Sequence, residues 1–271
     1  MKSPSEALRA GLSRPPGRVR PASARQLVIV GAAGPLGGAV LEQALARGAF
    51  GRVCALVTQP IEVALQGMDV LQVTTGWREP AMFPRPPDTA IVVFDREGSR
   101  HGREAAFLRP EPGQLPALGH WLRDAGVRRM IVVLPHAPAL LPHALKLGLA
   151  NLDEQALAAL GFDQLVLVRP SRAGAAGTST EPRGLLDRVA RGVLSQLHWM
   201  VPQRDQPLRA RQVGRFVADL ALALAAAPPG TRVAPPELLW DWAQPSGGDS
   251  VLLPWLAGEP TTPRAAPAQR W

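Results

Sequence analysis

The chain reads as an α/β protein: a doubly wound, mostly parallel sheet with helices on both faces and a small C-terminal extension. Three observations predict this. Short apolar runs alternate with stretches of helical period, the mark of parallel βαβ units. One of these runs, near the N-terminus, passes straight into a glycine turn and the opening of a helix. The 271 residues and 46% hydrophobic content suit one large domain with a buried core, flanked by tails.

In chain order, residues 1–24 contain Arg14-Pro-Pro-Gly-Arg and Arg20-Pro without hydrophobic period, and are expected to be a disordered basic tail. Leu27 to Val30 is a buried strand, followed by a helix from Pro35 to Arg47. Pro35 suits the first helical turn because its missing N–H would be an orphan there, and Gly48 stops the helix. Arg52 to Val57 is the second strand and Asp69 to Val73 the third; a Pro-rich connection, 79–87, leads into a fourth, Thr89 to Phe94. A long loop reaches about Pro112, then Leu115, Leu118, Leu122 and Ala125 mark a helix over 114–125. Arg129 to Leu134 is strand five, 141–160 a helix and Gln164 to Val168 strand six. Beyond Arg169-Pro170 the alternation weakens. Residues 172–182 read as a Gly/Ser/Thr/Ala-rich loop over the strand ends, where open α/β sheets bind ligands. Helices are expected over 185–199 and 211–226, and 25–240 forms the domain. The remainder, 241–271, reads as a Pro/Trp-rich tail, and Trp240, Trp242, Trp255 and Trp271 are read chiefly as packing residues.

The organising stretch is Gly31-Ala-Ala-Gly34-Pro-Leu-Gly37 between the first strand and its helix. A strand–turn–helix of this kind offers backbone N–H groups and the positive end of a helix dipole to a phosphate. Gly31 permits the tight turn, Gly34 lets backbone approach a pyrophosphate, and Gly37 lets the helix pack against the strand. The spacing is G-x-x-G-x-x-G, and its context is that of a dinucleotide-binding unit.

Composition removes several other classes. The net charge of +8 comes from arginine, the only lysines being Lys2 and Lys146. These arginines are scattered and form no aromatic-interleaved basic helix, which argues against nucleic acid as the partner. The single cysteine, Cys54, leaves no disulfide framework and fits a reducing compartment, so a cytoplasmic location is expected. The best apolar segment, 216–227, is interrupted by Asp219, and no membrane span is expected. The first 25 residues carry five arginines, one acid (Glu6) and no apolar core of a secretory signal.

Four segments together resemble the atypical short-chain dehydrogenase/reductase superfamily. They are Gly31 to Gly37, the run Asp124-Ala-Gly-Val-Arg-Arg-Met-Ile-Val-Val, Gly161-Phe-Asp-Gln-Leu-Val-Leu-Val-Arg-Pro170, and Arg211-Gln-Val-Gly-Arg-Phe-Val-Ala. The branch most resembled is that of the Tat-interacting-protein-like and nitrogen-metabolite-regulator-like NAD(P)-binding proteins. The resemblance spans residue 25 to about 240 and implies a Rossmann-like fold holding NAD or NADP. It places the cofactor along Gly31, Ala32, Ala33, Gly34, Pro35, Leu36 and Gly37, with Thr58 ending strand two and Phe94 and Asp95 ending strand four. Leu134 and Pro135 then end strand five, and Arg169 and Pro170 end strand six. Asp95 is unfavourable beside a pyrophosphate unless it points away.

The same resemblance implies hydride transfer by a Tyr-x-x-x-Lys pair with a strand-five Ser, the phenol acting as general acid beside a lysine that lowers its pKa. This chain contains no tyrosine. Counting back from Arg169-Pro170 puts Lys146 at the Tyr position and Ala150 at the Lys position, and Leu134 and Pro135 replace the serines. The acid that would select NAD and the arginine that would select NADP after strand two are both replaced by Thr58-Gln-Pro. The histidines at 101, 120, 136, 143 and 198 make no H-E-x-x-H, Ser171 lacks the G-x-S-x-G elbow, and there is no P-loop.

The expected protein therefore binds NAD or NADP without the usual catalyst and acts as a sensor, scaffold or regulatory protein, with a protein partner. One alternative is an oxidoreductase or isomerase using substituted groups, Lys146 or His143. Another is an interaction protein with an empty cleft, for which a side chain lying over Gly34 would be the sign.

Overall fold

The computed structural model describes residues 25–61, 65–74, 76–77, 80, 82–95, 105–134, 151–170 and 209–259. The strands are β1 (Gln26–Val30), β2 (Arg52–Val57), β3 (Met68–Gln72), β4 (Thr89–Val93), β5 (Arg129–Val133), β6 (Gln164–Val168) and β7 (Gly230–Ala234). They form one seven-stranded sheet in the order β3-β2-β1-β4-β5-β6-β7. Every pairing in it is parallel. The reversal of strand order between β1 and β4 makes the fold doubly wound and opens a crevice at the carboxyl ends of those strands.

Helices cover both faces. On one side lie α1 (Gly34–Arg47), α4 (Ala210–Ala223), α5 (Pro236–Ala243) and α6 (Asp249–Ala257); on the other lie α2 (Leu115–Asp124) and α3 (Asn151–Ala159). Strand side chains alternate between the layers. Leu27 and Ile29 meet the α1/α4 layer, whereas Val28 and Val30 meet the α2/α3 layer. With both faces covered, the central strands are continuous apolar runs, which is why composition alone revealed them.

The expected bounds of strands two and six coincide with those of β2 and β6. β3 starts one residue earlier than expected, at Met68, whose backbone N–H donates to Leu65. Among the described residues between β3 and β4 there is no helix; Trp77 and Phe83 instead cover Trp121 of α2, with ring centroids 5.3 and 5.7 Å apart. The expected helix over 141–160 is present as α3 from Asn151, and its earlier part lies outside the described residues. So do the 172–182 loop, the 185–199 helix, the 1–24 tail and Trp271.

The C-terminal region differs most from expectation. β7 extends the sheet beyond β6, and residue 240, taken from sequence as the end of the domain, falls within α5. Trp242 is 5% exposed and meets Phe216 edge-to-face at 5.3 Å, so this tryptophan is core. Leu252 and Leu256 of α6 join the same cluster, with Trp240 and Trp255 packed against it. β7 escaped notice because it carries no buried apolar run: Gly230, Thr231 and Val233 are exposed, and the preceding Pro228-Pro229 reads as a linker.

Helices α1 and α4 approach closely at Gly214. A β-carbon there would stand 2.7 Å from the carbonyl carbon of Ala39, 2.8 Å from its oxygen and 3.0 Å from the Val40 nitrogen. Gly214→Val therefore separates two helices that jointly cover the sheet, and a loss of about 1–3 kcal/mol is expected in denaturant titration. The thiol of Cys54 on β2 is pushed up to about 12, first by burial and second by the Asp69 carboxylate. A folded state that prefers the protonated thiol keeps this stabilisation below the ordinary value of 9.0 and loses it as pH rises toward 12. Cys54 is accordingly expected to resist aromatic disulfide reagents at pH 8 in the native protein and to react readily in denaturant.

Candidate functional site

The site begins where β1 ends. Gly31 has φ 85° and Gly34 has φ 82°, the left-handed region that glycine enters without steric cost. A β-carbon on Gly31 would collide with the carbonyl oxygen of Val93 on β4 and stand 3.1 Å from Pro110. One on Gly37 would collide with the carbonyl oxygen of Gly31. These two glycines are thus required by the protein's own backbone. Ala32 and Ala33 line the turn, 4% and 2% exposed, and Pro35 occupies the first helical turn.

Gly34 faces something else. The position of its missing β-carbon is 2.7 Å from Oδ2 of Asp95 and 3.4 Å from Nη2 of Arg109. The Asp95 carboxylate reaches the N-terminus of α1, where Leu36 N–H donates to Oδ2 at 2.7 Å and Gly37 N–H approaches the same oxygen at 3.4 Å. Helix α1 makes no side-chain cap bond at Ala33 and has no acidic residue in its first turn. Its macrodipole is answered from β4 instead. Asp95, the residue that is unfavourable beside a pyrophosphate unless it points away, points into the glycine turn, because free N–H donors on a helix end attract a carboxylate. Phe94 fixes the approach, since its backbone N–H continues the ladder to Val133 at 3.0 Å and its side chain is 3% exposed.

The end of β2 is also engaged. The β1–β2 pairing stops at Ile29–Ala55 as β1 turns away. Beyond that point the segment Ala106–Leu108 takes up the freed edge. Thr58 N–H donates to the Ala106 carbonyl at 2.8 Å, Leu108 N–H donates to the Leu56 carbonyl at 2.9 Å, and Val57 and Phe107 form an antiparallel bridge. The Thr58 hydroxyl also donates to Ala106, at 3.3 Å. Sequence reasoning treated this segment as part of a long loop and missed Arg109. The one local signal was the short apolar run Ala105-Ala-Phe-Leu108.

At strand six, Arg169 Nη2 lies 2.8 Å from both carboxylate oxygens of Glu154 on α3, and its backbone N–H donates to Ala234 on β7. This guanidinium ties a helix to the sheet, and Pro170 beside it is buried. Leu134 N–H donates to Val168, extending the β5–β6 ladder. Gly31 to Gly37, Thr58, Phe94 and Asp95 therefore converge on the crevice around β1, while Leu134, Arg169 and Pro170 lie at the ends of β5 and β6. Pro135, His143 and Lys146 lie outside the described residues.

A second cleft of about 740 Å³ opens at the far end of α1. There Arg47 donates to Asp219 at 2.7 Å, and Arg215 lies 5.8 Å from the Trp242 ring. Burial pushes the Asp219 carboxyl up from the ordinary carboxylate range against the opposing pull of Arg47. Among the described residues no group of three His, Cys, Asp or Glu is placed to hold a metal ion, and no helix is long and apolar enough to cross a membrane.

No protein-family model matches the chain, and no curated protein matches it in sequence. Its path through space is similar to that of several solved structures. A Rossmann-fold NAD(P)-binding family protein from Shigella flexneri is 13% identical with a TM-score of 0.40, over 73% of this chain and 86% of that one. Triphenylmethane reductase from Citrobacter sp., solved with NADP(H), is 15% identical with a TM-score of 0.43, over 76% of this chain and 68% of that one. UDP-N-acetylglucosamine 4-epimerase from Bacillus cereus is 12% identical with a TM-score of 0.42, over 78% of this chain and 75% of that one.

Proposed function

We propose that the chain binds a nicotinamide dinucleotide, NAD or NADP, at the Gly31–Gly37 turn and acts as a sensor, scaffold or regulatory protein rather than a reductase. One observation carries the binding reading: the turn already holds an oxyanion. The Leu36 and Gly37 N–H groups converge on a single carboxylate oxygen at 2.7 and 3.4 Å. That oxygen belongs to Asp95 and stands in for a phosphate oxygen. Donors that accept one anion in this geometry suit another.

In this reading the N–H groups of Gly34, Leu36 and Gly37 hold the pyrophosphate, and the end of β2 at Thr58 faces the ribose. A bound nicotinamide dinucleotide would supply a hydride donor or acceptor. What the chain does not supply is the phenol that the short-chain dehydrogenase mechanism needs to protonate a carbonyl, since none of its residues is tyrosine. Binding without that proton donor favours a role in which the occupied state is read by a partner protein.

A second reading, an interaction protein whose cleft is closed to ligand, is favoured by the Asp95 carboxylate over Gly34 and by Ala106–Leu108 on the edge of β2. Fluorescence titration of the purified protein with NADH and with NADPH separates the two. Saturable binding of at least one is expected, without carbonyl-dependent oxidation of the bound dinucleotide. No binding of either at millimolar concentration would sink the cofactor reading and leave the second.

A further inference from the structure

We propose that Asp95 is an internal ligand of the phosphate site, and that Asp95 and Arg109 set the dinucleotide affinity by exchange: the carboxylate leaves the α1 N-terminus when a diphosphate arrives, and the guanidinium stays beside it. This rests on the dinucleotide reading and specifies how that site is regulated.

The donors on the turn are few. Pro35 has no N–H, Leu36 donates to Asp95 Oδ2 at 2.7 Å, and Gly37 approaches the same oxygen at 3.4 Å. A phosphate oxygen reaching Leu36 must take the place of that carboxylate oxygen. The two anions cannot share it, because like charges at hydrogen-bond spacing repel strongly. Competition for one donor set is therefore built into the geometry.

The contact is not incidental to the fold. Asp95 is 59 residues from Leu36 in sequence, yet Phe94 is pinned to β5 by its backbone and buried by its side chain. That leaves Asp95 as the first residue past the β4 ladder, beside the turn. Arg109 arrives by a separate route, held by the main-chain bonds of Ala106 and Leu108 to β2 and by the buried Pro110 against Gly31. Its guanidinium lies on the same face of Gly34 as the carboxylate, 3.4 Å from the absent β-carbon. An arginine in that place matches the charge of Asp95 while the site is self-capped and that of a diphosphate once it is exchanged. Planar, permanently charged guanidinium suits both partners.

A self-capped protein binds with its intrinsic affinity multiplied by the fraction of time the cap is open. Removing the competing charge should recover what is lost. We expect Asp95→Asn and Asp95→Ala to bind NADH or NADPH about tenfold more tightly than the unmodified chain. The Asn variant keeps an amide oxygen for the Leu36 N–H and so preserves the helix cap. Arg109→Ala in the Asp95→Asn background should weaken binding by about tenfold, as loss of a charge-assisted phosphate contact does. Far-UV circular dichroism and thermal melts of all four proteins establish that the comparison is between folded states. If the unmodified chain binds and both Asp95 variants bind no more tightly, the exchange is overturned while the dinucleotide reading stands. If the unmodified chain binds neither dinucleotide at millimolar concentration, the reading falls and the exchange with it.

Discussion

A β-carbon on residue 37 would stand on the carbonyl oxygen of Gly31, so α1 can seat on the end of β1 only through glycine. Much of the molecule follows from that seat. It brings the first turn of α1 down onto the crevice between β1 and β4, where its N–H groups, without partners inside the helix, face Asp95 at the end of β4. It also sets the height of α1 over the sheet, at which Gly214 of α4 can meet the Ala39 backbone. The α1–α4 pair then covers Leu27, Ile29, Ile91 and Ile131 from one side, and burying such side chains is the main source of stability.

The helix end so placed has an electrostatic demand that its own residues do not meet. Ala33 has no polar side chain, Pro35 no N–H, and the first turn no acid. In a protein whose phosphate site is always filled, the ligand would meet this demand. Here a carboxylate from the end of β4 meets it. The same donors, dipole and open approach over Gly34 that suit a diphosphate suit Asp95, which is why a turn built for anion binding and a self-capped turn look alike in sequence. Arg109 adds a cation to the same face.

At the other end of α1 the chain uses its charges structurally. Arg47 pairs with Asp219 across the α1–α4 boundary, and Arg169 binds Glu154 with both carboxylate oxygens. The side chains of that second pair are 28% and 13% exposed, enough shelter for the pairing to hold α3 against the sheet. The excess of arginine thus serves internal ion pairs and a cation–π contact with Trp242 as well as the surface.

The alternation of strands and helices, the strands β2 and β6 to the residue, the glycine turn and the absence of a phenol are all legible in the chain before it folds. These are local properties: an apolar run bounded by turn residues declares a buried strand, and a residue count needs no coordinates. What lies over Gly34, what pairs with β2 beyond Ala55 and which strand follows β6 in the sheet depend instead on how the elements come together. Asp95 and Leu36 are 59 residues apart, and a contact across that distance leaves no period in either segment. β7 is mostly exposed and so has no apolar run to read, and Trp242 looks the same in a tail as in a core until Phe216 is beside it. Local patterning specifies elements; which polar groups meet across elements depends on how those elements pack.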